Sequence, residues 1–414
     1  MTASLQNEHW RQNLYVCLFG SFTTIIAMTL ILPFLPLYVE QLGVSSPAAI
    51  VRWSGVAFGV TFLAASLVSP IWGRLADRYG RKLMLVRASL GMAIVMSLIG
   101  LAHNIYQLVG LRLAIGLAGG YASGSVILVA MQTPKDRSTW ALGTLSIGVM
   151  AGSFVGPLLG GILPGLIGLR ETFFAAGAAI FVAFLATCFL IREEKIERPA
   201  AKVPGARRIG TWAAIPDRRP VFAMLATALM LMFANMSIEP IITVYVAQLV
   251  ADPTRIAFMS GLVMAASALA SILAAPRVGR LADRIGAWRV VIGCLVASGL
   301  LLIPQAFVTD AWQLVVLRFL MGLALAGLLP SVTALIRHSV PDSVTGGVLG
   351  YSQSAQYMGQ ITGPLVGGFA GAQFGMRSVF FATSALMLCG AAANWLVFRS
   401  LSRPALRRRL EKRA

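Results

Sequence analysis

The sequence predicts an all-α membrane protein with 12 transmembrane helices in two pseudo-symmetric six-helix bundles. Three observations carry that prediction. Of the 414 residues, 57% are hydrophobic and only 12% charged, about half the charge of a soluble domain. The apolar residues gather in runs long enough for the roughly 20 residues that cross a bilayer core. The chain also repeats itself at an offset of about 206 residues, with the same glycines, prolines and charges returning in the same order.

The spans follow in turn. Uncharged runs cover Gln12–Val39, Trp53–Gly73, Ser138–Leu169, Thr172–Ile191, Ile256–Pro276, Val290–Thr309, Ser343–Met376 and Ser378–Phe398. The other four spans carry one interior charge each: Arg87, Arg112, Glu239 and Arg318. Backbone groups in lipid need partners within the chain, so each run is expected as a helix. The first six spans fall in residues 1–194 and the last six in 219–414. Segment 195–218 is charged, holds Pro199, Pro204 and Pro216, and has no repeat partner. It reads as a cytoplasmic linker lying along the membrane surface. The remaining loops are short, which makes sequential spans antiparallel neighbours.

The formal net charge of +19 is distributed to one side. With the N-terminus inside, 28 of the 34 Lys and Arg fall on the cytoplasmic face. Only Arg52, Arg170, Arg255 and Arg377 fall on the other face, and Arg112 and Arg318 lie within spans. That asymmetry is the positive-inside bias. It predicts a multi-pass protein with both termini cytoplasmic, its basic residues set against anionic lipid rather than nucleic acid. Cys17, Cys188, Cys294 and Cys389 lie in apolar runs at no metal-ligand spacing. His9, His103 and His338 lie in the tail or loops, and no nucleophile–base pair is evident. No GxxxxGK[ST] loop is present, so an ATP motor is not expected. The expectation is therefore no catalytic residues, no metal and no cofactor, with a lone chain as the working unit.

The repeat marks the residues of interest. GRLADRYGRK (Gly73–Lys82) returns as GRLADRIGAWR (Gly279–Arg289), and Arg112 returns as Arg318. Gly143, Gly152, Gly156, Pro157, Gly160 and Gly161 return as Gly350, Gly359, Gly363, Pro364, Gly367 and Gly368. Small residues at this spacing permit close helix contact. A duplicated multi-span bundle encloses a site between its halves and rocks around it, which is a transporter's architecture. In the loop joining spans 2 and 3, Asp77 sits among Arg74, Arg78, Arg81 and Lys82. The alternatives are a latch between halves, repeated at Asp283, or a topogenic loop with weak surface pairs.

Arg112 either bonds backbone carbonyls, perturbs a nearby acid, or snorkels outward, and Arg318 reads as a structural leftover. Glu239 stands within span 7 beside Asn235, Ser237 and Pro240, and its repeat partner is the apolar Leu32. It is either a proton carrier or a solvated acid at the outer mouth. Cavity candidates are Phe34, Tyr38, Asn235, Tyr245, Gln353, Gln356, Tyr357 and Gln360, with interhelical bonding as the competing reading.

These motifs resemble those of the major facilitator superfamily. GRLADRYGRK resembles its loop 2–3 signature, and Arg112 in LRLAIG its span 4 arginine motif. GTLSIGVMAGSFVGPLLGG resembles the span 5 motif of its 12-span drug:proton antiporters. The resemblance covers both halves. It implies alternating access, with efflux of small amphipathic compounds from the bilayer or cytoplasm against protons, the proton being the only coupling ion. It gives Asp77, Arg78, Arg81 and Asp283 the gating latch, with Asp136 a partner for Arg81, and Arg112 the proton relay. Gly152, Gly156, Pro157, Gly160 and Gly161 take the antiporter role. Glu239, followed six residues later by Tyr245, matches a coupling acid of some quinolone-type antiporters. A metabolite or sugar exporter on the same fold is the alternative.

Overall fold

The computed structural model describes residues 9–134, 136–193, 215 and 217–411. Of the expected linker 195–218, only residues 215, 217 and 218 fall among them. The first half contains α1 (His9–Thr29), α2 (Leu35–Gln41), α3 (Pro47–Tyr79), α4 (Arg81–Gly100), α5 (Ile105–Ala118), α6 (Tyr121–Gln132), α7 (Ser138–Ile167) and α8 (Leu169–Leu190). The second contains α9 (Arg219–Leu249), α10 (Ile256–Ile285), α11 (Ala287–Gln305), α12 (Ala311–Leu325), α13 (Leu328–Ser339), α14 (Asp342–Phe374) and α15 (Met376–Glu411). Ten segments are long and apolar enough to cross a bilayer, counting α5–α6 and α12–α13 as one each. The pair α1–α2 and the Gly- and Gln-containing α14 occupy the two remaining expected positions. The protein is an all-α membrane protein.

Sequence determines where these helices stop. Gly80, Gly168, Gly286 and Gly375 adopt φ of 97°, 98°, 93° and 83°, a region that costs glycine no steric strain. Each is a one-residue elbow between two long helices, and the four form two repeat-related pairs. Asn104 accepts a hydrogen bond from the Gln107 backbone N–H at 2.9 Å, and Asp310 from that of Trp312 at 2.7 Å. These caps start α5 and α12 and satisfy N–H groups that the helix leaves unpaired. Span 1 breaks at residues 30–34, where Pro33 supplies no N–H. Span 4 breaks at Gly119–Gly120. The carbonyls freed there are taken by Trp72 Nε1 (on Leu117, 2.9 Å) and an Arg87 N–H (on Gly119, 3.0 Å).

One correction concerns GRLADRYGRK. Residues 73–79 continue α3, and 279–285 continue α10, so the turn is the single glycine Gly80 or Gly286. The reason is that the short charged run carries no helix breaker before that glycine.

Each half has its own core. In the first, Tyr38 donates to the Ile99 carbonyl at 2.6 Å and packs on Phe173 at 4.9 Å between centroids. In the second, Tyr245 donates to the Gln305 carbonyl at 3.0 Å and packs on Phe380 at 5.3 Å. These are equivalent positions of the repeat. Phe189, Phe374 and Leu166 stay more than 70% exposed, as expected of side chains that meet lipid rather than water.

Candidate functional site

The glycine-rich motif has two faces. Gly152, Gly156 and Gly160 lie on α1, where an added Cβ would press on the Phe22, Ile26 and Leu30 carbonyls. Gly359, Gly363 and Gly367 lie on α9 in the same way, against the Leu229, Phe233 and Ser237 carbonyls. Gly161 faces the other half, where a Cβ would stand 2.9 Å from the Ala257 carbonyl of α10. Gly368 faces the Val51 carbonyl of α3 at 3.0 Å. Gly261 meets the Pro157 carbonyl and Gly55 that of Pro364. The prolines and second glycines thus join α7 to α10 and α14 to α3 by main-chain contact.

These contacts share one end of the molecule, away from the basic loops. Thr243 Oγ1 adds a bond to the Pro33 carbonyl at 3.0 Å, and Arg52 lies over Phe369 at 5.6 Å. The α3–α14 packing continues inward to Tyr357, beside Ser69. Nearer the basic end the same helices are exposed, at Gly73 and Arg74 of α3, Gly143 of α7, Arg277 and Arg280 of α10 and Gly350 and Ser354 of α14. The halves are therefore joined by main chain at one end, while toward the other the same helices turn exposed.

Two arginines lie deep, each within its own half. Arg112 is 1% exposed, donates Nε to the Ala57 carbonyl at 3.2 Å, and lies over Phe58 at 5.3 Å. Arg318, at the repeat position, is 6% exposed, and its Nε and one terminal nitrogen have no hydrogen-bond partner. The charge that acts on half-buried Glu239 is Arg318. Among the described residues no ion pair within 4.0 Å joins the two; those pairs are Arg81–Asp77, Arg137–Asp136 and Arg255–Asp252. The sequence reading left Arg112 three roles, of which the structure shows the bond to a backbone carbonyl, and took Arg318 as a remnant. The structure puts Arg318 in the acid's field, because α9 and α12 belong to the same bundle.

The latch candidates fall at the basic end. Arg81 bonds Asp77 at 2.8 Å, one turn away, while Asp77 stays 71% exposed. Asp136 is 3.8 Å from its neighbour Arg137 and is not the partner of Arg81. Arg78 lies over Tyr79, and Asp283 is exposed at the end of α10. Glu193 was not anticipated: its carboxylate accepts the backbone N–H groups of Arg81 (2.7 Å) and Lys82 (2.8 Å). It caps α4 from the far end of the same half, and an acid just past an apolar span was the available signal.

Of the cavity candidates, Phe34, Tyr38 and Tyr245 are buried in their own cores. Gln353 is exposed and Gln356, Tyr357, Asn235 and Gln360 are half-buried. Gln360 Nε2 lies 3.6 Å from Met232 Sδ.

A duplicated bundle whose halves meet through main chain at one end has the build of a multi-pass membrane transporter. The chain belongs to the Major Facilitator Superfamily, whose profile matches residues 17–260 and 254–414. It is 45% identical to the multidrug resistance protein MdtG of Dickeya zeae, over 95% of this chain and 96% of that one. It is 41% identical to MdtG of Proteus mirabilis, over 97% and 100%. Among solved structures it resembles a bacterial homologue of the human lysosomal transporter Spinster, inward-facing and unoccupied. The TM-score is 0.75 at 16% identity, covering 96% of this chain and 98% of that one. The nucleoside transporter NupG also gives 0.75, at 15% identity, covering 94% and 99%. These likenesses concern the fold.

Proposed function

We propose that the chain exports small amphipathic compounds, drugs among them, across a bacterial inner membrane in exchange for protons. It works by alternating access, as a single chain with no cofactor and no enzymatic step. The moving units are residues 1–194 and 219–414, joined by a linker at 195–218, with both termini cytoplasmic. In this orientation the sealed end is periplasmic and the open end accepts substrate from the cytoplasm or inner leaflet. Relatives 41–45% identical that carry the name multidrug resistance protein support the substrate class.

One observation carries the coupling step. The repeat is closely kept around Glu239, yet the first half has Leu32 where the second has this acid, and Arg318 is the cation acting on it. An intramembrane carboxylate with a cation in the same bundle is a functional-site candidate by default, and here it reads as the proton site. Protonation cancels its charge and leaves Arg318 uncompensated, which changes the relative stability of the open-in and open-out states. Asp77, Arg78, Arg81 and Asp283 serve as the latch that re-forms when the basic end closes. The half-buried Asn235, Gln356, Tyr357 and Gln360 serve as substrate contacts.

The test is uphill transport of a fluorescent amphipathic cation in proteoliposomes under an imposed proton gradient. Glu239→Gln is expected to lose gradient-driven accumulation by at least tenfold, while downhill exchange persists. Full accumulation by Glu239→Gln would remove this coupling site. A metabolite exporter is the second reading, favoured by Gln353, Gln356 and Gln360 on α14. It predicts that deletion and overexpression strains respond alike to a panel of antibiotics, dyes and bile salts.

A further inference from the structure

A groove of about 370 Å³ opens between α9 and α15, away from the space between the halves. Its walls are apolar along Ala223, Ala226, Met230, Ala393 and Val397, and Arg219 stands at its mouth on the basic end. Arg218 and Arg399 are exposed nearby, and Arg399 lies over Trp395 at 5.2 Å. The one acid in this stretch, Asp217, accepts the Arg219 backbone N–H at 3.0 Å and so caps α9. From Arg219 to Met230 the groove follows about 16 Å of helix, close to the hydrocarbon depth of one leaflet.

The polar groups at depth orient any ligand. Asn394 is 3% exposed and donates to Thr227 Oγ1 and the Gly390 carbonyl, both at 2.8 Å. Its Oδ1 has no partner. The unspent group at depth is therefore an acceptor, which repels an anion, and the cation is at the mouth. The matching seam of the first half is built differently. There Tyr121 reaches between α1 and α8, lies against Gly20, and bonds Thr187 Oγ1 at 2.6 Å. Gly20, Tyr121 and Thr187 correspond to Thr227, Leu328 and Asn394. In the second half Thr227 and Asn394 bond each other directly, and the groove opens there.

We propose that this groove holds one anionic phospholipid, with its phosphate against Arg219 and an acyl chain along Ala223, Ala226 and Met230. The proposal rests on the orientation given above only for naming the leaflet as cytoplasmic; binding itself is independent of it and of proton coupling. A soluble anion would leave the apolar walls unfilled, and a zwitterionic lipid would offer the same phosphate but bring its own cation beside exposed Arg218, Arg219 and Arg399.

The purified full chain is offered equal amounts of phosphatidylglycerol and phosphatidylcholine with identical acyl chains, and the lipids retained are counted by native mass spectrometry. One basic residue near an anionic headgroup is worth a preference of about fivefold. Wild type is expected to favour phosphatidylglycerol by at least that factor, and Arg219→Gln to lose most of the preference. Ala226→Trp, and independently Ala393→Trp from the opposite wall, are expected to lose both lipids. A monodisperse size-exclusion peak and a melt within a few degrees of wild type report that each variant is folded. Equal retention of the two lipids by wild type overturns the proposal, as does an unchanged preference in Arg219→Gln. Retention in both tryptophan variants places the chain elsewhere, and displacement by inorganic phosphate makes the mouth a soluble-anion site; either ends it.

Discussion

Arg112 and Arg318 hold the same place in the two repeats and differ in what surrounds them. Arg112 bonds a carbonyl and stacks on Phe58, while Arg318 keeps two unbonded groups in the field of Glu239. That difference was half legible. The charges and the Leu32–Glu239 asymmetry stand in the sequence, but which arginine meets the acid depends on which helices share a bundle. Tyr38 and Tyr245 illustrate the same limit. Aromatic residues beside a proline in a span suggest a cavity lining, yet both are spent on carbonyls of their own half. Tyr245→Phe leaves the Gln305 carbonyl without its donor, at about 1–2 kcal/mol, while Tyr38→Phe leaves the Ile99 carbonyl the Ala102 N–H and costs about 1 kcal/mol. Thermal melts of the purified variants are expected to show that loss, with the spectrum of exported compounds unchanged. A changed spectrum with an unchanged melt would return these tyrosines to the cavity.

At the scale of elements, α7 and α14 each serve two neighbours through one glycine series. The four-residue spacing was readable as close packing. The division of labour was not, because Gly160 and Gly161 are adjacent in sequence and face different bundles. Gly160→Ala sets a methyl against the Leu30 carbonyl inside one half. It is expected to lower stability by about 1–3 kcal/mol, seen as reduced yield of monodisperse protein. Gly55→Ala and Gly261→Ala act elsewhere, pressing on Pro364 and Pro157 across the halves. They are expected to favour opening of the sealed end. A cysteine at Val51, introduced after the four native cysteines are replaced, reports this: alkylation from the periplasm is expected to quicken about tenfold. An unchanged rate would mean that these contacts do not hold the end closed.

For the whole molecule, composition and the repeat made the fold class plain, since neither depends on contacts. The break in span 1 falls by Pro33, a residue that marks a bend, while those in spans 4 and 10 fall at residues 119–120 and 326–327, where glycine is too common in the spans to single out one pause. The placement of basic residues predicts orientation in the bilayer. A cysteine replacing Arg255, in the same cysteine-free background, is expected to react with an impermeant reagent in intact cells, and one replacing Arg280 only after permeabilisation. The reverse pattern would invert the molecule. Finally, the closure at the sealed end is made largely of carbonyl oxygens resting on hydrogen-only side chains. Such a joint has no chemical alphabet with which to read what lies in the vestibule. Residues lining the route can be exchanged over generations, and the range of exported compounds can drift, without any rewriting of how the door shuts.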